Sequence, residues 1–313
     1  ALVTGGAGFI GSHLVDALVA RGDEVVVIDD LSAGHRDNVN AAARLVEGDV
    51  VDEAAVAAAM AGCEVAFHLA AHRSVQRSVE HPLTTDRVNT GGTLAVLASA
   101  REAGVRRVVT TSSSSVYGGA ASMPTPESAP LTPRSPYAVS KLAGEHYARV
   151  FWELFGLETV VIRPFNVYGP RQRPDSQYAA VIPLFIAALR SGEAPVVHGD
   201  GRQSRDFAFI DDAVAAFIAA GSAPAGACAG KAYNVAGGAV HNLLDLLAIL
   251  EEILEVPARP SHVEPRAGDV RHTQADLSAA AADLGWSPEV GFAEGLRRTV
   301  LWSAGAPRAT VDR

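Results

Sequence analysis

The chain has 313 residues, 48% hydrophobic and 19% charged, which fits a globular protein with a sizeable core and leaves room for one large α/β unit with an attached lobe. A formal net charge of −9 excludes the broad basic face that nucleic-acid binding needs, although small anions can still be gripped locally. Two distant cysteines, Cys63 and Cys228, exclude a disulfide framework and a Cys-x-x-Cys zinc site.

Short apolar runs alternate with stretches of helical period. Residues 1–4, 24–29, 43–49, 65–71, 106–113 and 159–166 read as strands, and residues 9–21, 52–61, 86–103 and 137–155 as helices. In the first helix Leu14, Val15, Leu18 and Val19 form one stripe. The strands are apolar nearly throughout, as in a parallel sheet covered on both faces. The alternation implies an α/β fold, a Rossmann-type doubly wound parallel sheet with right-handed crossovers. Beyond residue 165 prolines 170, 174, 183 and 195 break the rhythm. We therefore expect residues 1–165 to form a dinucleotide-binding domain and 166–313 mainly a smaller substrate lobe, with returns to the first domain near 206–235. Residues 213–230 carry no charge, but Gly221, Ser222 and Pro224 favour a short buried helix and a loop over a membrane span. No signal-like leader precedes the first strand, and the expected home is the cytoplasm.

"ALVTGGAGFIG" runs from strand through glycine turn to helix start. Gly6, Gly8 and Gly11 fit G-x-G-x-x-G, and Gly5, Gly8 and Gly11 fit the wider G-x-x-G-x-x-G. Such a turn lets backbone approach a pyrophosphate at a helix N-terminus. An acid is due about 20 residues on, and "VVVIDD" supplies Asp29. Its carboxylate suits ribose hydroxyls and repels a 2′-phosphate, so NAD is favoured over NADP. The blander reading has Asp29 or Asp30 capping the following turn, and His35 and Arg36 lie near enough to soften the preference. Asp49 ends the third strand, where it suits either the adenine edge or an ordinary turn.

Tyr137 and Lys141, four apart on a helix, share one face. A phenol with a pKa near ~10 becomes a useful base only if cations favour its ionised form. The neighbouring ammonium and an oxidised nicotinamide are two such cations. Alone, Tyr-x-x-x-Lys also fits an amphipathic helix with a surface lysine.

Taken together the chain resembles the extended short-chain dehydrogenase/reductase superfamily, and within it the nucleotide-sugar epimerases. The resemblance runs through "TGGAGFIG", "DDLSAG", "GDV", "HLAA", "SVQRSVEHP", "VNTGGT", "SSSSVYG", "SPYAVSK", "RPFNVYGPRQ", "GDGRQSRDF" and "RAGDVRHTQAD" in order. It implies NAD held by Gly5, Gly8, Phe9, Ile10, Gly11, Asp29, Asp49, Val50, Leu69, Ala70, Ala71, Tyr137 and Lys141. It makes Ser113, four residues before the tyrosine of "VYG", the catalytic hydroxyl, Tyr137 the base and Lys141 its partner, with Ser112 near the nicotinamide. It implies that Asn166, Arg205, Arg266, Asp269 and Thr273 hold a UDP-sugar: the two arginines clamp the diphosphate and Asp269 meets the uridine ribose. The implied reaction inverts carbon 4 of a UDP-hexose: Tyr137 takes the hydroxyl proton, hydride passes to NAD, and the ketone turns over before hydride returns. A homodimer through the helices at 86–103 and 137–155 is implied as well.

Dehydratases of this superfamily carry Asp–Glu after the catalytic hydroxyl, and related decarboxylases a glutamate before "VYG". Here Ser114 and Ser115 stand at those positions, which disfavours both reactions. "QYAAVIP" and the small Thr273, where narrow pockets carry an aromatic, favour UDP-N-acetylglucosamine/UDP-N-acetylgalactosamine, followed by UDP-glucose/UDP-galactose and then UDP-glucuronate. A dehydrogenase and a non-catalytic NAD-binding regulator are the other classes. His72, Arg73 and Pro164 depart from the family pattern, and no metal site is expected, since His68 and His72 pass from strand into loop.

Overall fold

The computed structural model describes residues 1–119, 122–174, 180–265 and 270–305. In chain order its elements are β1 (Leu2–Thr4), α1 (Phe9–Ala20), β2 (Val26–Asp29), β3 (Arg44–Glu47), α2 (Glu53–Met60) and β4 (Val65–His68). Next come α3 (Val75–Glu80), α4 (Pro82–Asp86), α5 (Gly92–Glu102), β5 (Arg107–Thr111), α6 (Pro136–Phe155) and β6 (Glu158–Pro164). The second half holds α7 (Val181–Ser191), β7 (Val196–His198), β8 (Ser204–Asp206), α8 (Ile210–Ser222), α9 (Ala225–Cys228) and β9 (Lys231–Val235). It closes with β10 (Val240–Asn242), α10 (Leu243–Leu254), β11 (Ser261–Val263), α11 (Ser278–Leu284) and α12 (Phe292–Gly305).

Seven parallel strands stand in the order β3-β2-β1-β4-β5-β6-β9. Strand order reverses between β1 and β4, the switch point where ligands bind in such sheets. β9, from far along the chain, joins the sheet beside β6. The burial pattern follows the two-residue pleat. Leu2, Ile28, Ala66 and Val108 face α2, α5 and α6 on one side, while Val3, Val27, Phe67 and Val109 face α1 and α8 on the other. Burying both faces is why these strands lack polar alternation.

Local chemistry sets the helix ends. Ser135 caps α6 by accepting from the Ala138 amide, Pro136 starts it, and Gly156 at φ 69° ends it. Asn242 and Asp245 form a reciprocal capping box on α10. The uncharged stretch at 213–230 contains most of α8, the short α9 and the turns around it, and no helix among the described residues is long and apolar enough to cross a membrane. The predicted helix at 86–103 is interrupted: Arg87–Gly91 form a π-type turn before α5. Beyond the sheet, β8 pairs antiparallel with β10 and β7 parallel with β11, beside α7, α10 and α12.

Candidate active site

The glycine turn follows β1. Gly5 has φ 71°, and a Cβ there would sit 2.8 Å from the Ala70 amide nitrogen. A Cβ on Gly11 would fall 2.1 Å from the Gly5 carbonyl oxygen, so helix and turn touch only through glycine. At Gly8 a Cβ would meet only that same carbonyl, at 3.2 Å, leaving its outer side open to a ligand. Gly8 caps α1 without a side-chain bond, so the first amides of α1, at Phe9, Ile10 and Gly11, remain available to an anion.

Asp29 and Asp30 both accept amides of the turn that follows β2. Asp30 Oδ1 accepts from the Ser32 amide at 3.0 Å and its hydroxyl at 2.7 Å, an ordinary turn. Asp29 is buried at the tip of β2, taking the Ala7 amide on Oδ2 at 2.9 Å and the Leu31 amide on Oδ1 at 2.8 Å. Burial pushes its carboxyl up, and the two amides oppose the shift. Asp49 pairs with Arg87 at 3.2 Å and accepts the Val51 amide, while Val50 is buried against Gly92. Arg36 is engaged by Glu47. These are the features NAD requires: a glycine cradle, free helix amides and a carboxylate at the second strand's end.

Leu69, Ala70 and Ala71 leave the end of β4 beside the glycine turn. Thr4 Oγ1 accepts the Leu69 and Ala70 amides, so its proton goes to His68 Nδ1 at 2.8 Å. The His68 Nε2–H then donates to Thr93 Oγ1 at 3.0 Å, and Thr93 donates to the Asn89 carbonyl at 2.6 Å. That chain needs a neutral imidazole, and burial holds His68 down at about 3, helped by the Lys141 charge. From Asn89 it continues: Nδ2 donates to Ser140 Oγ at 3.0 Å, and Ser140 donates to the Tyr137 carbonyl at 2.8 Å. Cofactor turn and catalytic helix are thus joined by two hydrogen-bond runs that meet at Asn89.

Tyr137 and Lys141 face the sheet from α6. Ser113 follows β5, accepts the Ser115 amide at 3.2 Å and lies beside the Tyr137 phenol, whose ionised form it favours. Burial raises the phenol above its ordinary value, opposed by the neighbouring Ser113 hydroxyl and by the charge of Arg73. The depression expected from Lys141 is not produced by the chain's own groups. The Lys141 ammonium donates to the Thr111 carbonyl at 2.8 Å, and burial brings it down to about 8 against the pull of Glu145. Arg73 is the departure that matters electrostatically; His72 is held by backbone bonds to Asn89. Ser112 is buried and donates to Glu145, one turn beyond Lys141 on α6.

A cavity of about 250 Å³ opens in the second half, lined by Asn166, Gln172, Phe185, His198, Arg205 and Leu243 among others. Asn166, at φ 34°, donates to the Asp206 carbonyl at 3.2 Å. Arg205 Nη1 donates to the Ser204 and Arg271 carbonyls at 2.9 and 3.2 Å. The Thr273 amide donates to Ser204, and its hydroxyl is buried without a partner. Arg266 and Asp269 lie outside the described residues, as do residues 177–179 of "QYAAVIP".

Sequence reasoning passed over Gln172, although it quoted the motif that contains it. The side chain is buried, Nε2 donates to the Val167 carbonyl at 3.0 Å, and Oε1 has no protein partner. It also passed over Glu145 and Arg163, whose only signal was polarity in an apolar setting, and weighed His68 only as a metal ligand.

Glycine cradle, capped acid and Tyr–Lys helix at the sheet's switch point define a dinucleotide-dependent enzyme of the doubly wound class. The chain belongs to the NAD dependent epimerase/dehydratase family, which matches residues 1–236, and NAD is its cofactor. It is 44% identical over 307 residues to a UDP-glucose 4-epimerase of Mycolicibacterium smegmatis, covering 96% of each chain. It is 37% identical over 319 residues to a dTDP-glucose 4,6-dehydratase of an Actinoplanes species, again covering 96% of each. Among solved structures, a UDP-N-acetylglucosamine 4-epimerase of Methanobrevibacter ruminantium in complex with UDP-N-acetylmuramic acid superposes with a TM-score of 0.91 at 38% identity, covering 97% of each chain.

Proposed function

We propose that this isomerase inverts carbon 4 of a UDP-hexose, with UDP-N-acetylglucosamine/UDP-N-acetylgalactosamine and UDP-glucose/UDP-galactose as its substrates. The observation that carries the reading is the placement of the Ser113 hydroxyl beside the Tyr137 phenol at the end of β5, with serines and no carboxylates at positions 114 and 115. In this reading Tyr137 accepts the 4-hydroxyl proton and Ser113 relays it. Bound NAD supplies the reversible hydride acceptor and a positive charge beside the phenol. Lys141 holds the nicotinamide ribose and the local charge. Elimination or decarboxylation would need an acid near the neighbouring carbons, and Ser114 and Ser115 cannot provide one.

Residues 1–165, with returns near 206–235, form the NAD domain in this reading, and 166–313 mainly the sugar-nucleotide lobe. Asn166 holds the diphosphate or sugar, and Arg205 with Arg266 clamps the diphosphate, a planar guanidinium task. Asp269 takes the uridine ribose and Thr273 borders the sugar.

A homodimer through α5 and α6 is part of the proposal. Leu94, Val139, Val150 and Leu154 stand exposed there, an apolar set that a second copy would cover. Sedimentation at micromolar concentration should give twice the chain mass, and a monomer alone would remove this part.

The deciding experiment is a panel of UDP-hexoses incubated with the holoenzyme. Interconversion of 4-epimers without net absorbance at 340 nm is expected. Stoichiometric NADH would make it a dehydrogenase, and silence with every sugar would leave an NAD-binding regulator.

A further inference from the structure

Residues 171–173 lie on the loop after β6, between the two halves. Arg171 has φ 65°, a left-handed conformation that a long side chain rarely adopts without being held there. Its Nη2 donates to Asp16 Oδ2 on α1 at 2.7 Å, and the other Asp16 oxygen takes Asn40 Nδ2 at 2.8 Å. Arg173 Nη1 donates to His35 Nε2 at 2.5 Å. His35 in turn is bonded through its amide to the Ala7 carbonyl, inside the glycine turn. Both guanidiniums therefore reach the cofactor side. The residue between them points the other way: Gln172 is buried in the wall of the substrate cavity with its Oε1 unpartnered.

We infer that Arg171–Gln172–Arg173 is a strap that couples the cofactor half to the substrate cavity. Arg171 and Arg173 are positioning residues: they fasten the loop to α1 and to the glycine-turn loop, and so fix where the Gln172 acceptor stands. A hydrogen-bond donor of the nucleotide sugar would complete Gln172, whose Oε1 otherwise carries the cost of burial without a partner. Epimerisation through a transient ketone needs cofactor and sugar held in register throughout, and one backbone segment anchored on both supplies that. The inference rests on the reading that the cavity takes a UDP-sugar.

The experiment uses the NAD-loaded enzyme and five variants: Arg171→Met, Asp16→Ala, their double, Gln172→Leu and Arg171→Lys. Two quantities are read: calorimetric affinity for UDP-glucose and UDP-N-acetylglucosamine, and the rate of NAD release. Arg171→Met and Asp16→Ala should each weaken sugar-nucleotide binding five- to tenfold and speed NAD release several-fold. The double variant should be no worse than either single, because both cut the same link. Gln172→Leu should weaken sugar binding alike and leave NAD release unchanged. Arg171→Lys, which keeps the charge, should recover part of both losses. Unchanged NAD release in Arg171→Met, unchanged sugar affinity where the wild type binds, or multiplicative single effects would each overturn the strap. A wild type that binds neither sugar sinks the functional reading, and the NAD arm still decides the strap.

Discussion

Glu145 and Arg163 form a buried ion pair directly behind the catalytic helix face, with Nε at 2.9 Å from Oε1 and Nη2 at 2.6 Å from Oε2. Arg163 also donates to the Tyr117 hydroxyl at 2.8 Å and the Glu127 carbonyl at 3.1 Å, and Tyr117 donates to Asn234 at 2.7 Å. Lys141 stands one turn before Glu145, and Ser112 reaches the same carboxylate from the end of β5. The pair thus binds β5, α6, β6 and β9 at the point where Ser113 leaves the sheet.

Removing the carboxylate leaves an uncompensated guanidinium in the interior. Glu145→Gln should cost about 3–5 kcal/mol of stability. Thermal denaturation reads this directly, and a loss below about 1 kcal/mol would mean that the network relaxes around the change.

Lys141 is held at a cost. Burial brings its ammonium from 10.5 down to about 8, so the folded state disfavours the charged form. The unfolded chain binds the proton more tightly, and the penalty is full below pH 8 and relieved as pH rises toward 10.5. Lys141→Met should therefore raise stability at pH 7 by roughly 2–3 kcal/mol while abolishing turnover. Equal stabilities of the two proteins would contradict the burial argument.

The sheet was legible because parallel strands covered on both faces are apolar without interruption, and every strand expected before residue 166 is present. Tyr137, Lys141 and the glycines were legible because spacing alone places them. What escaped was long-range. That Ser112 turns inward depends on Glu145, 33 residues away, and Gln172 acquires meaning only through anchors at Asp16 and His35. Tyr137's raised phenol was also missed, because burial is a property of the packed fold and outweighs the charges that spacing suggests.

Asp206 gives a second pH signature. Its side chain is fully buried between Arg205 and the 237–238 turn, and burial pushes it up to about 6 against the amides of Ala275, Gly237 and Gly238. A carboxyl raised in the folded state favours folding when protonated, so its contribution is lost as pH rises from about 4 through 6. The stability difference between wild type and Asp206→Asn should change by roughly 2–3 kcal/mol between pH 4 and pH 7, the wild type losing ground. Parallel pH–stability curves would exclude Asp206 as the source.

The two serines separate cleanly. Ser113 lies beside the Tyr137 phenol and favours its ionised form, whereas Ser115 Oγ is buried with no partner. Ser113→Ala should lower kcat by about 10²–10⁴-fold, as for loss of a proton-transfer group, with little change in KM. Ser115→Ala should stay close to wild type, because it deletes only an unsatisfied hydroxyl. Steady-state kinetics on the same UDP-sugar decides, and the reverse order would move the catalytic role to Ser115.

Thr273 offers the test of sugar size. It follows His272, whose ring nitrogen meets Ser204 Oγ at 2.8 Å, and its own amide donates to the Ser204 carbonyl at 3.1 Å, so its backbone is tied to β8 beside Arg205. A tyrosine on that fixed backbone has to place its ring in the space beside the buried hydroxyl, because the chain cannot retreat from β8. An acetamido group is larger than the hydroxyl it replaces on the sugar, so the ring competes with it first. Thr273→Tyr should lower kcat/KM for N-acetylated UDP-hexoses at least about 10-fold more than for the plain pair, about 1.4 kcal/mol of discrimination. Equal losses for both sugars would show that the wall at Thr273 does not gate size.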